Sequence, residues 1–281
     1  MAWQVLDAHE VDLDEIDRFC SSHGVETALM AEHVHAMRYN PNLRDFLLCV
    51  LDEEEGNIAG VCWIGGNIVP VAVPEAALGL LVREIRRRGR RYTSIVGPTQ
   101  QVRALWRVIG SAFGRARDIR ECQPHLEINT RPAINPDPLV TPTPNADFDL
   151  LFPAAVAMFT EEVGYSPLAS GGGYERRVRS LVSEGRSLSR IVHTRRGREV
   201  VFKADLGTVG FGVTQVQGVW VNPRYRGRGI SAPAMAAVVN YAHHHFAPTV
   251  SLYVNDYNTA ALATYARVGF VRTGTFATIL F

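Results

Sequence analysis

Lysine is nearly missing from this sequence: Lys203 is the only one, and every other member of the 29-strong Lys+Arg set is arginine. An excess of one charge sign is missing too, because 28 acidic residues leave a net charge of +1. That balance lacks the strong basic excess of a nucleic-acid-binding protein, so no nucleic-acid partner is expected. Long apolar runs are absent as well. None approaches the roughly 20 residues of a membrane span, and Met1-Ala2-Trp3-Gln4 has neither the basic nor the apolar region of a signal peptide. No membrane partner is therefore expected. The four cysteines, Cys20, Cys49, Cys62 and Cys122, lie in the first half without metal-like spacing. They read as reduced thiols of a cytoplasmic protein. His243-His244-His245 looks metal-like, but consecutive helical residues point in different directions and cannot chelate one ion. No metal site is expected.

What is present is ordinary for a folded protein: 47% hydrophobic and 20% charged residues over 281 positions. The basic run Arg83-Glu84-Ile85-Arg86-Arg87-Arg88-Gly89-Arg90-Arg91 reads as a solvated helix face and its C-terminus, where cations complement the helix dipole. Five prolines between Pro132 and Pro144 exclude helix and central strand, so residues 132–149 read as an extended linker. They separate a domain at 1–131 from one at 150–281.

The second part parses as helices at 153–164 and 172–185, then strands at 188–194, 199–205 and 209–221. A helix at 231–246, a strand at 249–255, a helix at 258–268 and a pair of strands within 270–280 follow. The first part has strands at 46–51, 58–64 and 68–73, a helix at 75–88, a strand at 93–97 and a helix at 99–110. Both therefore run β-turn-β-β-α-β-α, which predicts an α/β (α+β) fold and a degenerate structural repeat.

Between the strand ending at Val221 and the helix from Ser231 lies Asn222-Pro223-Arg224-Tyr225-Arg226-Gly227-Arg228-Gly229-Ile230. Glycines at 227 and 229 permit positive φ and close backbone approach. A loop opening a helix presents unpaired N–H groups to an anion, and Arg224, Arg226 and Arg228 add positive charge. Ser231 suits a helix N-cap, and Pro233 the first turn. The loop is not a nucleoside-triphosphate loop, which needs Gly-Lys-Ser/Thr, nor a dinucleotide fingerprint, which needs a third glycine and a later acid.

The stretch Arg226-Gly227-Arg228-Gly229-Ile230-Ser231 resembles the pyrophosphate loop of the GNAT superfamily of acyl-CoA-dependent N-acyltransferases, Q/R-x-x-G-x-G/A, with Ser231 where Gly or Ala is usual. A second family signature, N-x-x-A-x-x-x-Y-x-x-x-G-F, is met by Asn258, Ala261, Tyr265, Gly269 and Phe270. The resemblance covers about 150–281 and makes the chain similar to tandem GNAT proteins with one degenerate half. It implies a mixed-sheet GNAT fold in the second half and acetyl-CoA as co-substrate with an amine acceptor. Backbone groups of Val219, Trp220 and Val221 would pair with the pantetheine arm, and amides of Gly227, Arg228, Gly229, Ile230, Ser231 and Ala232 beside Arg226 would hold the pyrophosphate. Asn258 would contact the cofactor. Tyr265 would protonate the leaving thiolate, with an amide near Val219 stabilising the oxyanion. Glu161 and Glu162 are the candidate bases. Any acylation within the chain would fall on Lys203 or the N-terminal amine, because arginine is not nucleophilic at neutral pH. An aminoacyl transferase and a non-catalytic CoA-binding sensor stay open as alternatives, as do the identity of the acceptor and the oligomeric state.

Overall fold

The computed structural model describes residues 2–89, 92–195 and 197–281. Arg90 and Arg91 of the basic run lie outside the described residues. The first half contains β1 (Trp3–Asp7), α1 (Leu13–Ser22), α2 (Gly24–Thr27), α3 (Ala31–Ala36), β2 (Leu47–Asp52), β3 (Ile58–Ile64), β4 (Asn67–Val71), α4 (Leu78–Arg87), β5 (Ser94–Pro98), α5 (Thr99–Phe113) and β6 (Asp118–Ile128). The second contains β7 (Val140–Pro142), α6 (Phe148–Val163), α7 (Gly173–Ser183), β8 (Ser187–Thr194), β9 (Gly197–Gly210), β10 (Val213–Val221), α8 (Ser231–His245), β11 (Thr249–Tyr253), α9 (Thr259–Val268) and β12 (Val271–Leu280).

Among the described residues the strands form one mixed sheet in the order β1-β2-β3-β4-β5-β12-β6-β11-β10-β9-β8-β7. If each strand of one half is exchanged for its counterpart in the other, the order reads identically from either edge. The central pair β6 and β12 is antiparallel. A reversed order with an antiparallel centre is the relation made by a two-fold axis perpendicular to the sheet, which keeps corresponding helices on the same face. The halves also trade a strand. β6 pairs with β11 of the second half, and β12 pairs with β5 of the first.

Helix periodicity places the core. Leu78, Leu81, Val82 and Ile85 of α4 recur at i, i+3, i+4 and i+7 and bury against the first half of the sheet with Val102, Leu105 and Ile109 of α5. Met235, Val238, Val239 and Ala242 of α8 do the same over Phe202, Ala204 and Leu206, joined by Val268 of α9. On the other face α6 and α7 pack through Leu151, Ala155, Met158, Val178 and Val182, while α1 and α3 cover β2 and β3. Glu32 of α3 binds Arg186 and lies 3.7 Å from Arg177 of α7, which ties the two helical layers of that face together.

Several boundaries differ from the sequence expectation. The expected pair of strands within 270–280 is the single strand β12. The turn between the two long strands falls at Phe211–Gly212, so β9 extends to Gly210 and β10 begins at Val213. The proline-rich stretch contributes β7, paired with β8 at the sheet edge where a missing N–H is tolerated. Asp137 anchors that stretch through its N–H to the Pro233 carbonyl and its carboxylate to Arg190. No helix among the described residues is long and apolar enough to cross a membrane.

Candidate functional site

β10 and β11 run parallel, but they pair only from Val213–Gln215 to Thr249–Ser251. Beyond that point they separate. Among the described residues the edge of β10 from Val216 to Val221 has no strand partner on that side, while its opposite edge remains paired with β9. An unpaired strand edge inside a sheet is a template for an extended ligand. Val219, Trp220 and Val221 therefore lie on the open wedge.

A bulge shapes the wedge. Gln217 pairs with Asp205 and Trp220 with Lys203, so Gly218 and Val219 together face the single residue Ala204. Gly218 takes φ +60, and a Cβ there would come within 3.0 Å of Lys203 Nζ, Asp205 Oδ2 and Met158 Cε. Only glycine meets both conditions.

The loop at the end of β10 is held from behind. Asn222 donates from its N–H to the Val201 carbonyl and from its side chain to the Val200 carbonyl, and its Oδ1 accepts the Arg224 N–H. Gly227 and Gly229 have φ of +73 and +72, and a Cβ at either would meet no protein atom within 4 Å. The loop is an open cradle rather than a packed turn. It leads into the N-terminus of α8, where the first amides lack intrahelical acceptors. Ser231 is the first residue of α8 and not its N-cap, contrary to expectation, because its hydroxyl bonds Thr264 of α9 at 3.0 Å. That bond joins the loop to the other wall of the wedge.

The three loop arginines are not equivalent. Arg224 pairs with Glu199. Arg226 donates to Glu161 at 2.6 Å and to the Val221 carbonyl at 3.0 Å. Arg228 lies over the Tyr225 ring and has no acidic partner among the described residues. The free positive charge of the loop is thus concentrated on Arg228, a narrower site than the sequence suggested.

The two candidate bases separate in the same way. Glu161 accepts from Trp220 Nε1 at 3.1 Å as well as from Arg226, which makes its carboxylate a latch between α6 and the loop. The Glu162 side chain is 54% exposed, with only a long 3.9 Å contact to Arg120 of β6, which also donates to the Glu162 carbonyl. Burial raises the pKa values of Tyr253 and Tyr265, and the Glu162 charge adds to it in both. Tyr253 is pushed up to about 12. Glu162 is therefore the acidic neighbour that Tyr253 and Tyr265 share.

Tyr265 sits on α9, 6% exposed, its ring edge-on to Phe270. Its hydroxyl has no hydrogen-bond partner among the described residues. Burial holds the phenol well above its ordinary pKa, so the group keeps its proton. Asn258 N-caps α9 by accepting from the Ala261 N–H at 3.1 Å. Lys203, which the sequence left open as an acylation site, is fully buried and bonded to Asp205 and Gly218. It is inaccessible to an acyl donor in this fold.

Reasoning from sequence missed Arg120, Tyr253 and the Lys203–Asp205 pair. A lone lysine was the visible signal for the last. Arg120 lies on β6, and Tyr253 of β11 pairs with His125 of β6, a strand whose place in the sheet no local pattern reveals.

In the first half the corresponding strands stay in contact beyond their last ladder pair. β4 and β5 pair at Asn67–Ser94 and Ile68–Ile95, and a Cβ on Gly97 of β5 would lie 3.4 Å from the Pro70 carbonyl of β4. Its following loop, 72–77, has no glycine and no basic residue.

Residues 189–270 match the family model described as Acetyltransferase (GNAT) family, and residues 50–151 match one described as a domain of unknown function, DUF4081. No match was found among curated proteins. Among solved structures, the chain is similar to a GCN5-related N-acetyltransferase from Sphaerobacter thermophilus, at 15% identity and TM-score 0.63, over 99% of this chain and 94% of that one. It is similar to a GNAT-family acetyltransferase from Colwellia psychrerythraea, at 10% identity and TM-score 0.56, over the whole of both chains. A tandem GNAT protein from the clavulanic acid biosynthesis pathway matches at 14% identity and TM-score 0.50, over 99% and 97%. The second half of this chain carries a domain of the Acetyltransferase (GNAT) family, within a fold that solved GNAT structures share from end to end.

Proposed function

We propose that the chain is an N-acetyltransferase that binds acetyl-CoA in the second-half wedge and moves the acetyl group to an amine. The observation that carries this reading is the parting of β10 from β11 after Gln215, which leaves a free strand edge leading to a glycine–arginine cradle and a helix N-terminus. The residues fit the donor. The edge at Val219–Val221 offers backbone pairing to an extended amide-bearing arm. The cradle from Gly227 to Ala232, with Arg228, suits a pyrophosphate. The thioester supplies an activated acyl carbon.

The remaining work falls to side chains. A protonated amine cannot attack, so a base must take its proton, and Glu162 is the exposed carboxylate at the wedge. Tyr265 Oη, protonated and unpartnered, can deliver a proton to a departing thiolate. In this reading the amide of Val219 donates to the acyl oxygen as negative charge develops there. Glu161 holds the loop and Asn258 caps the helix that carries Tyr265. In this reading the first half, 1–131, is a degenerate partner domain, and 150–281 is the catalytic one.

The test is thermal shift with acetyl-CoA, CoA and aminoacyl donors, followed by an acceptor screen of peptide N-termini, lysine side chains and small amines with acetyl-CoA. Stabilisation by CoA species together with acetylation of one amine class is expected. Stabilisation without transfer to any acceptor would make the chain a CoA-binding sensor.

A further inference from the structure

Lys203 and Asp205 form an ion pair within the sheet, with Nζ 2.5 Å from Oδ2 and both residues buried. Ser187 donates to the other carboxylate oxygen at 2.7 Å, and Lys203 Nζ also donates to the Gly218 carbonyl at 3.1 Å. Burying two charges costs several kcal/mol each, and replacing such a pair with apolar groups is often neutral or stabilising. Stability alone therefore does not account for this network. Its location is informative. Lys203 and Asp205 are the β9 partners of Trp220 and Gln217, the residues flanking the bulge, so the pair lies directly against the Gly218–Val219 peptide.

That peptide is planar and trans, so the Gly218 carbonyl and the Val219 N–H point in opposite directions. A cation that holds the carbonyl also sets the direction of the N–H. It polarises the same amide, which strengthens the N–H as a donor. The compact ammonium suits the tight space: a Cβ position on Gly218 lies 3.0 Å from Nζ, Met158 Cε and Asp205 Oδ2, and the planar five-donor fork of an arginine is the larger group.

We propose that Lys203 is a positioning residue which, through the Gly218 carbonyl, aims and polarises the Val219 N–H as the hydrogen-bond donor to the acyl oxygen of the bound donor. This inference rests on the acetyltransferase reading and assigns to it a residue outside the wedge itself.

The experiment uses the full chain and the double variant Lys203→Met/Asp205→Leu, which leaves no buried charge unpaired. The expected result is a folded protein with a melting temperature close to wild type and a KM for acetyl-CoA within about threefold. Its kcat should fall by roughly 10²–10³, the loss seen when one oxyanion donor is removed. A folded double variant with wild-type kcat overturns the proposal. A second measurement does not depend on the variant folding: the Val219 amide resonance of the wild-type protein, followed by NMR on adding acetyl-CoA or CoA. A shift specific to acetyl-CoA is expected. Binding of acetyl-CoA with no such response overturns the role of Lys203 and leaves the acetyl-CoA reading standing; failure of the wild-type protein to bind acetyl-CoA overturns both.

Discussion

The Gln101 side chain closes on the backbone of Val73 with both of its amide atoms: Oε1 accepts the Val73 N–H at 2.9 Å, and Nε2 donates to the Val73 carbonyl at 3.3 Å. Val73 follows β4 and Gln101 lies in the first turn of α5, so the bond spans the mouth of the first-half wedge. Together with Pro70, which has no N–H to offer, and Gly97 against it, this narrows the backbone edge open to an extended ligand. We therefore expect one acetyl-CoA per chain. Calorimetry on the wild-type protein should give a stoichiometry of one, and Gln101→Ala should not add a second site. Two equivalent sites would contradict the reading of the first half as degenerate.

Arg228 and Arg224 differ in what they already touch, which separates their expected effects. Arg228 has no acidic partner among the described residues, so its guanidinium is available to a phosphate. A charge-assisted hydrogen bond contributes about 1.5–3 kcal/mol, and Arg228→Ala should weaken CoA binding by about tenfold or more. Arg224 is already engaged with Glu199. Arg224→Ala should change CoA affinity by less than about threefold, the scale of a surface ion pair. Titrations of both variants with CoA at low and high salt check this, and equal losses would show that the cradle does not discriminate among its arginines.

A pH dependence of stability follows from His125 on β6. Burial lowers its pKa from 6.5 to about 4, despite Glu127 at 3.6 Å. Between those values the unfolded chain binds more protons than the folded one, so stability rises with pH across this window. The contribution is fully present above about pH 6.5 and is lost as pH falls toward 4, amounting to up to about 3 kcal/mol. Melting temperatures of wild type and His125→Gln, compared from pH 7 to 4.5, should show a shallower decline in the variant. Identical profiles would mean that His125 is not the titrating group.

The second half was legible in the sequence because its signals are local. The spacing of Met235, Val238, Val239 and Ala242 marks α8, and Gly227 and Gly229 mark the cradle. The strand exchange was not legible, because pairing between β6 and β11 joins residues more than 120 positions apart. β6 also carries Pro124, which local rules place outside a central strand. The fold accommodates it between two register shifts in the β6–β12 ladder, with its carbonyl accepting the Val254 N–H. Glu161 and Glu162 are adjacent and chemically identical in sequence. Only the contacts of Glu161 with Trp220 and Arg226 separate a latch from an available base.

That separation sharpens the last prediction, which pairs Tyr265 with Glu162. Tyr265 is buried, unpartnered at its hydroxyl and held protonated by burial, with the Glu162 charge as the second cause. A neutral phenol is a poor base and retains a proton to give, so its role falls at the leaving thiolate rather than the incoming amine, while the raised pKa itself weakens it as an acid. Tyr265→Phe keeps the ring against Phe270 and removes only the hydroxyl, so folding and CoA affinity should change little. Turnover should fall by roughly 10²–10⁴ if proton donation is its role. Glu162→Gln removes a base without disturbing the latch, since Glu161 keeps Trp220 and Arg226. Its deficit should shrink as pH rises and more of the amine loses its proton to solvent, whereas the Tyr265→Phe deficit should persist. Steady-state kinetics across pH 6 to 9 on both variants, with CoA affinity measured in parallel, test the pair. A loss of CoA affinity with turnover intact would make Tyr265 a packing residue, and a pH-independent Glu162→Gln deficit would remove Glu162 as the base.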